Sequence, residues 1–580
     1  MAIGPTQKMK KRLTRTVFIA LVTAFAVVAA NLVNISLLNF DFYNDYANKH
    51  QLRPETIPAN RGSIYDRNMS VLAKSATVWD VVINPQEISD DQRARIAKGL
   101  SEILDVDEAA ILEKTHAKNQ YEIIKRKVEP ETRDKVLSFI TNENEIIRKE
   151  NESLAADAQQ KTLENQIDCV ESTKRYYPNG TLAASVLGFT GTDSQGLYGL
   201  EVKYDDTLSG TPGYVVSLKN AISENIPNGI EEKYDPIDGN SLVLTIDETI
   251  QHFVEKALTQ AMAQHNPKKG CCAIVMDNKT GAILAMANMP TFDCNDPFTI
   301  YDKTAADEVA KLTGDEQKKA KSKAQIAQWG NKSISYAYQP GSTFKTIVAS
   351  AALEEKTSNL NSGFYCPGFV KVEDRTMKCH KTTGHGSENF TDAIVNSCNP
   401  AFVKIGADLG PNLFFKYFKA YGLTEHTGSD LPAEADSVYY NTNGLKSAVS
   451  LASCSFGQST AITPIQLITA VTAITNGGYL MKPYIVKDVL DANGNIVSST
   501  QPEIKRQVIS EETSKTMCGL MEQVVIAKGG TNAAVKGYRI GGKSGTSQKQ
   551  NPGDDPNARI GSYVAVAPVD DPAIDVYKRQ

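Results

Sequence analysis

The sequence predicts an α+β protein with more than one domain and a single N-terminal membrane-spanning helix. Strand-like segments stand at both ends of the C-terminal half, with helical segments between them. A highly charged stretch that mixes helix and turn residues precedes that half, and an uncharged apolar run lies near the N-terminus. At 580 residues, with 41% hydrophobic content, the chain is long enough to form several cores.

The apolar run covers residues 17–38 and contains no charged side chain. Because about 20 apolar residues span a bilayer, this run predicts one transmembrane helix. A signal peptide would have a shorter apolar core and a small-residue cleavage site, which is not evident here. Residues 1–16 contain five basic side chains and are expected to stay in the cytoplasm, which places the rest of the chain on the outer side of the cell membrane.

Residues 44–240 are predicted to form an elongated α+β pedestal. Turn residues and short apolar segments alternate over 61–73, whereas residues 89–166 show helical spacing and high charge. Turn residues return over 176–201 and in the Gly-, Asn- and Pro-rich stretch 225–240. The boundary to the next domain is therefore placed at the end of that stretch.

Residues 241–574 are predicted to form an antiparallel sheet with a block of helices packed on it. The segment starts with a strand and a helix, and two apolar runs then flank residues 279–281 (Lys-Thr-Gly), as in a β-hairpin. Strands return over 540–547 and 562–568 after a mostly helical block. Strands at both ends favour a sheet that the two ends of the domain complete together.

Ser342 and Lys345 are the candidate catalytic pair. A helix is expected to start after Pro340, and residues i and i+3 lie on the same helix face. A serine hydroxyl needs an adjacent base, and a desolvated lysine can lose its proton and act as that base. The pattern S-x-x-K alone is more often a capping serine followed by a solvated lysine, so the pair needs support from elsewhere in the chain.

Two further segments supply that support. Ser397 and Asn399 form an S-x-N pattern after a helical run, as a loop between helices would. Residues 543–546 (Lys-Ser-Gly-Thr) lie on a predicted strand, where the preceding glycines let a substrate backbone approach. Triplets at 279–281 and 387–389 match the same loose patterns, as does 223–225. Order along the chain and local setting therefore select the candidates, which are Ser342, Lys345, Ser397, Asn399, Lys543, Ser544, Gly545 and Thr546.

The ordered trio S-x-x-K, S-x-N and K-[ST]-G resembles the signature of penicillin-binding proteins and class A β-lactamases. The chain is similar to class B penicillin-binding proteins, the monofunctional peptidoglycan D,D-transpeptidases, over residues 61–574. Segments 61–73 and 176–201 resemble the membrane-proximal and pedestal motifs of that class. Segments 329–342 and 457–478 resemble the approach to its nucleophile and a later conserved run. The resemblance is greatest to division and sporulation members from Gram-positive bacteria.

The resemblance implies a fold and a mechanism. The fold would be the transpeptidase fold shared with serine β-lactamases, preceded by a pedestal or dimerisation domain. Ser342 would attack the penultimate D-Ala carbonyl of a stem pentapeptide, and Lys345 would take its proton. Backbone N–H groups of Ser342 and Thr546 would form the oxyanion hole, and Ser397 would relay a proton to the leaving amine.

The resemblance also implies the ligands and partners. Asn399 would bind the substrate amide, and residues 543–546 would hold the terminal carboxylate that a β-lactam mimics. An acceptor amine from a second stem peptide, carried on the lipid-linked precursor, would resolve the acyl-enzyme into a cross-link. The implied membrane partners are a SEDS-type glycan polymerase and divisome or sporulation proteins.

Composition argues against other kinds of ligand. A net charge of −5, without a basic patch beyond the N-terminus, gives no case for nucleic acid. The seven histidines show no metal-ligand spacing, and His380 and His385 are interpreted as surface or loop residues. The expected chemistry needs no cofactor. Among nine cysteines, Cys366 and Cys379 are predicted to form a disulfide, and Cys398 is interpreted as a buried small hydrophobe.

The last six residues, 575–580, read Asp-Val-Tyr-Lys-Arg-Gln, which is also the translation of a widely used sequencing-library transposon end. We interpret them as non-native sequence, so the natural chain is expected to continue differently after residue 574. The resemblance implies that the natural continuation holds a central strand of a five-stranded sheet and a closing helix. A sheet without that strand would expose unpaired edges.

Two alternatives remain open at this point. The same chemistry with water as the acceptor would make a D,D-carboxypeptidase or a β-lactamase, although the pedestal and membrane anchor argue against both. A β-lactam sensor or a catalytically silent scaffold for cell-wall assembly would not need all three motifs intact. A sensor would also need more cytoplasmic sequence than residues 1–16 supply.

Overall fold

The computed structural model describes residues 7–34, 39, 52–152, 160–218, 231–527, 532–548 and 558–580. The chain divides into two compact units. One unit consists of Met1–Ala59 and Thr211–Ile237, and the other consists of Asn60–Gly210 and Asp238–Gln580. Two sequence-based expectations, the end of the transmembrane run at 35–38 and the triplet at 223–225, lie outside the described residues.

The first unit contains the candidate membrane helix and a small sheet. Helix α1 (Gln7–Val33) exposes its apolar side chains, and its segment Lys11–Val33 is long and apolar enough to cross a bilayer, with a mean hydropathy of 2.4. Strands β1 (Leu52–Ile57), β6 (Gly213–Leu218) and β7 (Glu231–Tyr234) pair antiparallel in the order β1-β6-β7. The predicted N-terminal helix is therefore present.

The N-terminal part of the second unit is built around one long strand, β3 (Val71–Ile83). It pairs antiparallel with β5 (Ile167–Tyr176) over ten positions, from Lys74 opposite Tyr176 to Ile83 opposite Ile167. Apolar residues of β3 pack against amphipathic helices in a core of their own. The other elements of this part are β2 (Ile64–Tyr65), β4 (Glu122–Val128), β8 (Ser241–Leu244), α2 (Asp90–Leu104), α3 (Glu108–Thr115), α4 (Pro130–Asn151), α5 (Ala184–Leu187), α6 (Gly199–Lys203) and α7 (Asp205–Leu208).

A buried ion network joins the two pedestal segments that the sequence singled out. Arg61 donates to Glu201 at 2.5 Å and to Asp205 at 2.6 Å, and Arg175 donates to the other oxygen of Glu201 at 2.8 Å. Arg175 also donates to the Gly62 carbonyl at 2.7 Å. Because each buried charge meets an opposite charge and further hydrogen bonds, the network can fix segments 61–73 and 176–201 against each other.

The C-terminal part of the second unit contains a five-stranded sheet in the order β10-β9-β21-β20-β19, with every neighbour antiparallel. Its strands come from both ends of this part of the chain, which confirms the predicted fold class. The hairpin predicted around residues 279–281 is also confirmed, as the turn between β9 and β10. The strands are β9 (Cys271–Asp277), β10 (Ile283–Met289), β19 (Gly541–Gln548), β20 (Arg559–Ala567) and β21 (Ile574–Arg579).

The expectation that this sheet lacks its central strand is wrong for the chain as it stands. β21 lies between β9 and β20 and is formed by residues 574–579 themselves. Its β-branched and aromatic residues suit a buried strand, and the Tyr577 hydroxyl donates to that of Tyr338 at 2.6 Å. That residues 575–580 are non-native stays a prediction, and resequencing the locus checks it.

Helices cover the sheet and bring the candidate catalytic residues to it. All residues of α16 (Pro464–Thr475) are buried. The helix begins with a capping box formed by Thr463 and Gln466. The other helices are α8 (Glu248–His265), α9 (Lys303–Ala310), α10 (Gly314–Trp329), α11 (Lys332–Ser335), α12 (Lys345–Glu354), α13 (Phe390–Val395), α14 (Asn399–Ala420), α15 (Ala448–Ser455) and α17 (Glu511–Ile526).

Short strands complete this part of the chain. β16 extends the pedestal sheet through β8, so that the sheet runs β17-β16-β8-β2-β3-β4 and β5 also pairs with β3. Two further pairs, β11 with β14 and β12 with β13, form a small two-layered excursion beside α14. These strands are β11 (Phe364–Cys366), β12 (Phe369–Val372), β13 (Arg375–Lys378), β14 (Gly386–Glu388), β15 (Tyr479–Met481), β16 (Val486–Leu490), β17 (Ile496–Ser499) and β18 (Ile504–Gln507).

Candidate active site

Ser342 lies in a single 3-10 turn, Gly341–Phe344, that leads directly into α12. The turn follows Pro340, and Gly341 has a φ of +59°, a conformation that glycine adopts without strain. Ser342 is half-buried, whereas Lys345 begins the helix and is almost wholly buried. The predicted change from a proline–glycine turn to a buried helix is therefore confirmed, with a half-buried serine three residues before a buried lysine.

The turn packs backbone to backbone against strand β19. A Cβ atom added to Gly341 would lie 2.6 Å from the Thr546 carbonyl oxygen, and one added to Gly545 would lie 2.6 Å from the Pro340 carbonyl oxygen. On its other side the Gly341 N–H donates to the Gly457 carbonyl at 2.9 Å. Only glycine fits at these approaches. They bring the residues around Ser342 and Thr546 together, as an oxyanion hole between their N–H groups requires.

Ser397 lies between the two buried lysines. Its hydroxyl oxygen is 3.3 Å from the Lys345 Nζ and 3.1 Å from the Lys543 Nζ. Lys345 also donates to the Ser397 carbonyl and to the Asn399 Oδ1, both at 2.8 Å, and Lys543 donates to the Ser544 carbonyl at 2.9 Å. Ser397 has a φ of +51°, a strained value for a residue with a side chain, which the surrounding contacts hold in place.

Burial lowers the pKa of both lysines. The pKa of Lys345 is well below the usual 10.5, first because burial penalises the charged form and second because the Lys543 charge is close. Burial lowers the pKa of Lys543 to about 8. Among the described residues, neither amine forms an ion pair with a carboxylate; their partners are hydroxyl, amide and carbonyl oxygens. A lysine in this setting can be neutral near pH 7 and accept a proton from a hydroxyl.

Strand β19 presents two kinds of side chain in alternation. Lys543 and Gly545 are buried toward the turn and the second motif, while Ser544 and Thr546 are exposed. β19 is also the last strand of its sheet, so the described strands pair with it on one side only. An extended peptide that approaches this strand therefore meets hydroxyl groups and free strand-edge peptide groups.

The structure brings the sequence-predicted residues of the three motifs into this one site: Ser342, Lys345, Ser397, Asn399, Lys543, Ser544, Gly545 and Thr546. The look-alike triplets have roles in the fold instead. Residues 279–281 form the hairpin turn, and Asn389 caps α13 in a capping box with Asp392. The residues chosen by their order along the chain therefore lie near one another, and their catalytic roles stay predictions.

The predicted disulfide between Cys366 and Cys379 is not formed, because both are free cysteines in the structure. His385, interpreted as a surface or loop residue, lies in the loop before β14, but its side chain is only 6% exposed. Pairing of β11 with β14 and of β12 with β13 brings these residues together with Cys398, the middle residue of the second motif. Their four ligand atoms all lie within 4.8 Å of one another.

Sequence reasoning missed this cluster because its spacing is unlike that of zinc fingers. The four residues are separated by 12, 5 and 12 others, so no C-x-x-C pair draws attention. The signal that could have found it is the set of three cysteines and one histidine within 33 residues, all next to a catalytic motif.

Comparison with known families matches two models that together cover most of the chain. "Penicillin-binding Protein dimerisation domain" matches residues 56–244, and "Penicillin binding protein transpeptidase domain" matches residues 271–578. The chain is 35% identical over 525 residues to Stage V sporulation protein D of Bacillus subtilis, covering 89% of this chain and 73% of that protein. It is 26% identical over 593 residues to the peptidoglycan D,D-transpeptidase FtsI of Escherichia coli, covering 98% and 89%.

Solved structures show the same fold. Penicillin Binding Protein 2X from Streptococcus thermophilus superposes with a TM-score of 0.71 at 22% identity, covering 91% of this chain and 76% of that one. Penicillin binding protein 3 from Mycobacterium tuberculosis, complexed with ampicillin, superposes with a TM-score of 0.63 at 23% identity, covering 90% and 89%.

Proposed function

This chain belongs to the penicillin-binding protein family, with a dimerisation domain followed by a transpeptidase domain, and we propose that Ser342 is the nucleophile of its peptidoglycan D,D-transpeptidase reaction. The observation that supports this role is a pair of buried lysines around Ser397, one of them three residues after the half-buried Ser342, with no carboxylate partner among the described residues. Such a pair supplies a base without histidine or metal.

Acylation begins when Lys345 accepts the proton of the Ser342 hydroxyl. The Ser342 Oγ attacks the carbonyl carbon of the penultimate D-Ala of a stem peptide, and a tetrahedral intermediate forms. The N–H groups of Ser342 and Thr546 bind its oxyanion, each donor contributing about 3 kcal/mol. The C–N bond then breaks, and the leaving D-Ala amine receives a proton through Ser397. An ester between Ser342 and the stem peptide remains.

Transpeptidation completes the cycle. The amine of a second stem peptide attacks the ester carbonyl and loses its proton to the base, and the Ser342 oxygen leaves and is reprotonated. The product is an amide cross-link between two stem peptides. A β-lactam enters the same first step, but its ring opens without releasing a leaving group, so an ester on Ser342 blocks the site.

The exposed hydroxyls of β19 set the substrate contacts. Ser544 and Thr546 bind the terminal carboxylate of the donor peptide, with Lys543 beneath them and Gly545 giving the backbone room. Asn399 binds the substrate amide. A substrate carboxylate near Lys543 favours its charged form, whereas Lys345 is further depressed by that charge. The two lysines therefore suit different tasks.

The protein is a single-pass membrane protein in this proposal, with residues 1–16 in the cytoplasm and both domains outside. The basic residues before the apolar helix support that orientation. The pedestal contributes no residue to the site described above, so we assign it to partners: a SEDS-type glycan polymerase and divisome or sporulation membrane proteins. Co-purification of the full chain from membranes tests this, and loss of a polymerase partner with α1 and the pedestal intact would contradict it.

Fluorescent-penicillin labelling of the full chain in detergent tests the nucleophile. We expect a covalent adduct that peptide mass spectrometry locates on Ser342 and that Ser342→Ala abolishes. Ser387→Ala, at the exposed serine of the look-alike triplet, is the matched control and should label like the unmodified chain. A folded Ser342→Ala protein that still labels, or an adduct on another residue, would contradict the assignment.

A further inference from the structure

Four side chains next to the active site converge as a set of soft metal ligands. Cys366, Cys379 and Cys398 are buried free cysteines, and His385 is nearly buried beside them. The Cys379 Sγ lies 3.7 Å from the His385 Nδ1, and all four ligand atoms lie within 4.8 Å of one another. We propose that these residues form a structural Zn²⁺ site.

The distances suit a tetrahedral ion. With zinc–sulfur bonds of about 2.3 Å and zinc–nitrogen bonds of about 2.0 Å, neighbouring ligand atoms of a tetrahedron are about 3.5–3.8 Å apart. The Cys379–His385 separation of 3.7 Å falls in that range. Three thiolates and one imidazole are a ligand set of structural zinc sites, and four protein ligands leave no position for a reacting water.

A buried carboxylate lies beside the cluster, on the same side of the imidazole as Cys379. The Glu388 side chain is 2% exposed, and its Oε1 is 3.8 Å from the His385 Nδ1. Its other oxygen, Oε2, is buried without a hydrogen-bond partner among the described residues. A histidine that binds metal through Nδ1 is oriented through its other ring nitrogen, so this contact gives Glu388 no positioning role; its Oε1 accepts from the Asn396 side chain at 2.8 Å instead.

The excursion that carries the ligands has little core of its own. The strands β12 and β13 are mostly exposed, and Phe369 is 49% exposed. The buried apolar cluster around the cysteines contains only two other fully buried residues, Ala393 and Ala401. Small segments of this kind need a cross-link or a metal to hold their shape, and an ion at this cluster joins both strand pairs to the start of α14.

The site also bears on catalysis through one residue. Cys398 lies between Ser397 and Asn399, and the Asn399 Nδ2 donates at 3.0 Å to the carbonyl of Lys378, next to Cys379. An ion bound to Cys379 and Cys398 therefore fixes both sides of the loop whose other contacts are with Lys345. The metal holds Ser397 in its strained conformation and takes no part in the chemical step.

Metal analysis of the full chain, purified in detergent with reductant and without added metal, tests the site. We expect about one zinc ion per chain. Cobalt(II) added to the chelator-stripped protein should give the intense thiolate charge-transfer and d–d bands of a tetrahedral site. Cys366→Ser and His385→Ala should each lose stoichiometric zinc. Cys518→Ser, a buried cysteine elsewhere whose replacement can donate to the Thr475 carbonyl, should keep it.

Stripping the metal should slow penicillin labelling, and zinc should restore the rate. The spectrum of the unmodified chain decides the matter even if a ligand variant fails to fold. A reduced chain that binds no cobalt at this cluster, or a Cys366–Cys379 disulfide in the labelling-competent protein, would overturn the site. Either result leaves the role of Ser342 untouched, because labelling is measured separately.

Discussion

Among the described residues, two pairs of basic side chains are buried, and their partners differ. In the pedestal, Arg61 and Arg175 share the carboxylate of Glu201, and all three side chains are at most 2% exposed. In the active site, Lys345 and Lys543 are equally buried but share only the hydroxyl of Ser397. The side chains are equally buried in the two regions. What each charge can do therefore depends on its partner, a carboxylate in one region and a hydroxyl in the other.

The difference shows which buried side chains stay protonated and which can exchange a proton. Arginine stays protonated in proteins, so its ion pair with a buried carboxylate is permanent and holds the two segments together. Burial without a counter-charge lowers the pKa of a lysine, and the pKa of Lys543 at about 8 is an example. Arginine with glutamate thus fixes the pedestal segments, whereas in the proposed mechanism the lysines without a carboxylate move protons.

The largest effect is expected from removing the amine that acts as base. Lys345→Met keeps a long apolar side chain and should slow β-lactam acylation by about 10²–10⁴-fold, since the Ser342 proton then has no acceptor. Thermal stability should change little, because the substitution removes the cost of burying a polar amine together with its hydrogen bonds to Ser397 and Asn399. Lys404→Met, at an exposed lysine of α14, should acylate normally. Normal acylation by Lys345→Met, measured by stopped-flow fluorescence, would remove the base from the mechanism.

In the pedestal, breaking the shared carboxylate should cost stability and leave the chemistry unchanged. Glu201→Gln leaves the buried Arg175 without a counter-charge and Arg61 with only the partly exposed Asp205, so the free energy of unfolding should fall by about 3–5 kcal/mol. Acylation per folded molecule should stay the same. Urea unfolding monitored by fluorescence gives the first quantity and active-site titration the second. A stability within experimental error of the unmodified chain would show that Glu201 does not compensate these charges.

Making the active site resemble the pedestal should stabilise it and inactivate it. Ser397→Asp places a carboxylate between the two lysines, and Asp tolerates the positive φ at this position. The lysine pKa values should rise, and the variant should be about 2 kcal/mol more stable than Ser397→Asn, its uncharged match. Both variants should acylate slowly. Equal stability of the two at pH 7 would mean that the lysines carry no uncompensated charge there.

The smallest effect is expected where an ion pair faces solvent. Arg506 and Glu425 lie 2.6 Å apart, but both side chains are more than a third exposed. Glu425→Gln should therefore change the free energy of unfolding by about 1 kcal/mol or less, and added salt should reduce even that difference. A loss as large as that of Glu201→Gln would contradict the claim that burial determines how much the pedestal network contributes to the free energy of unfolding.

The sequence predicted what depends on short-range pattern. The turn before Ser342, the 279–281 hairpin and the apolar N-terminal run each follow from residues that lie close together in the chain. Each reflects local rules of backbone geometry or bilayer thickness.

What the sequence could not show depends on distant pairing. Arg61 and Glu201 are 140 positions apart, and only the register of the sheet and the fold of the pedestal bring them together. The disulfide prediction was wrong because it considered only the two cysteines that flank a short excursion of the chain. Strand pairing brings His385 and Cys398 to the same place. The central strand was likewise expected elsewhere, yet residues 574–579 have the β-propensity to occupy it.

The pH dependence of acylation tests the central claim most directly. The claim is that burial without a carboxylate partner lowers the pKa of Lys345 enough for its neutral amine to accept the Ser342 proton. Acylation needs the free amine, so its rate should rise with pH through the lowered pKa and level off well below 10.5. The rate constant for penicillin acylation, measured by stopped flow from acid to alkaline pH, provides the profile. A rate that keeps rising tenfold per pH unit up to the ordinary lysine pKa would contradict the account.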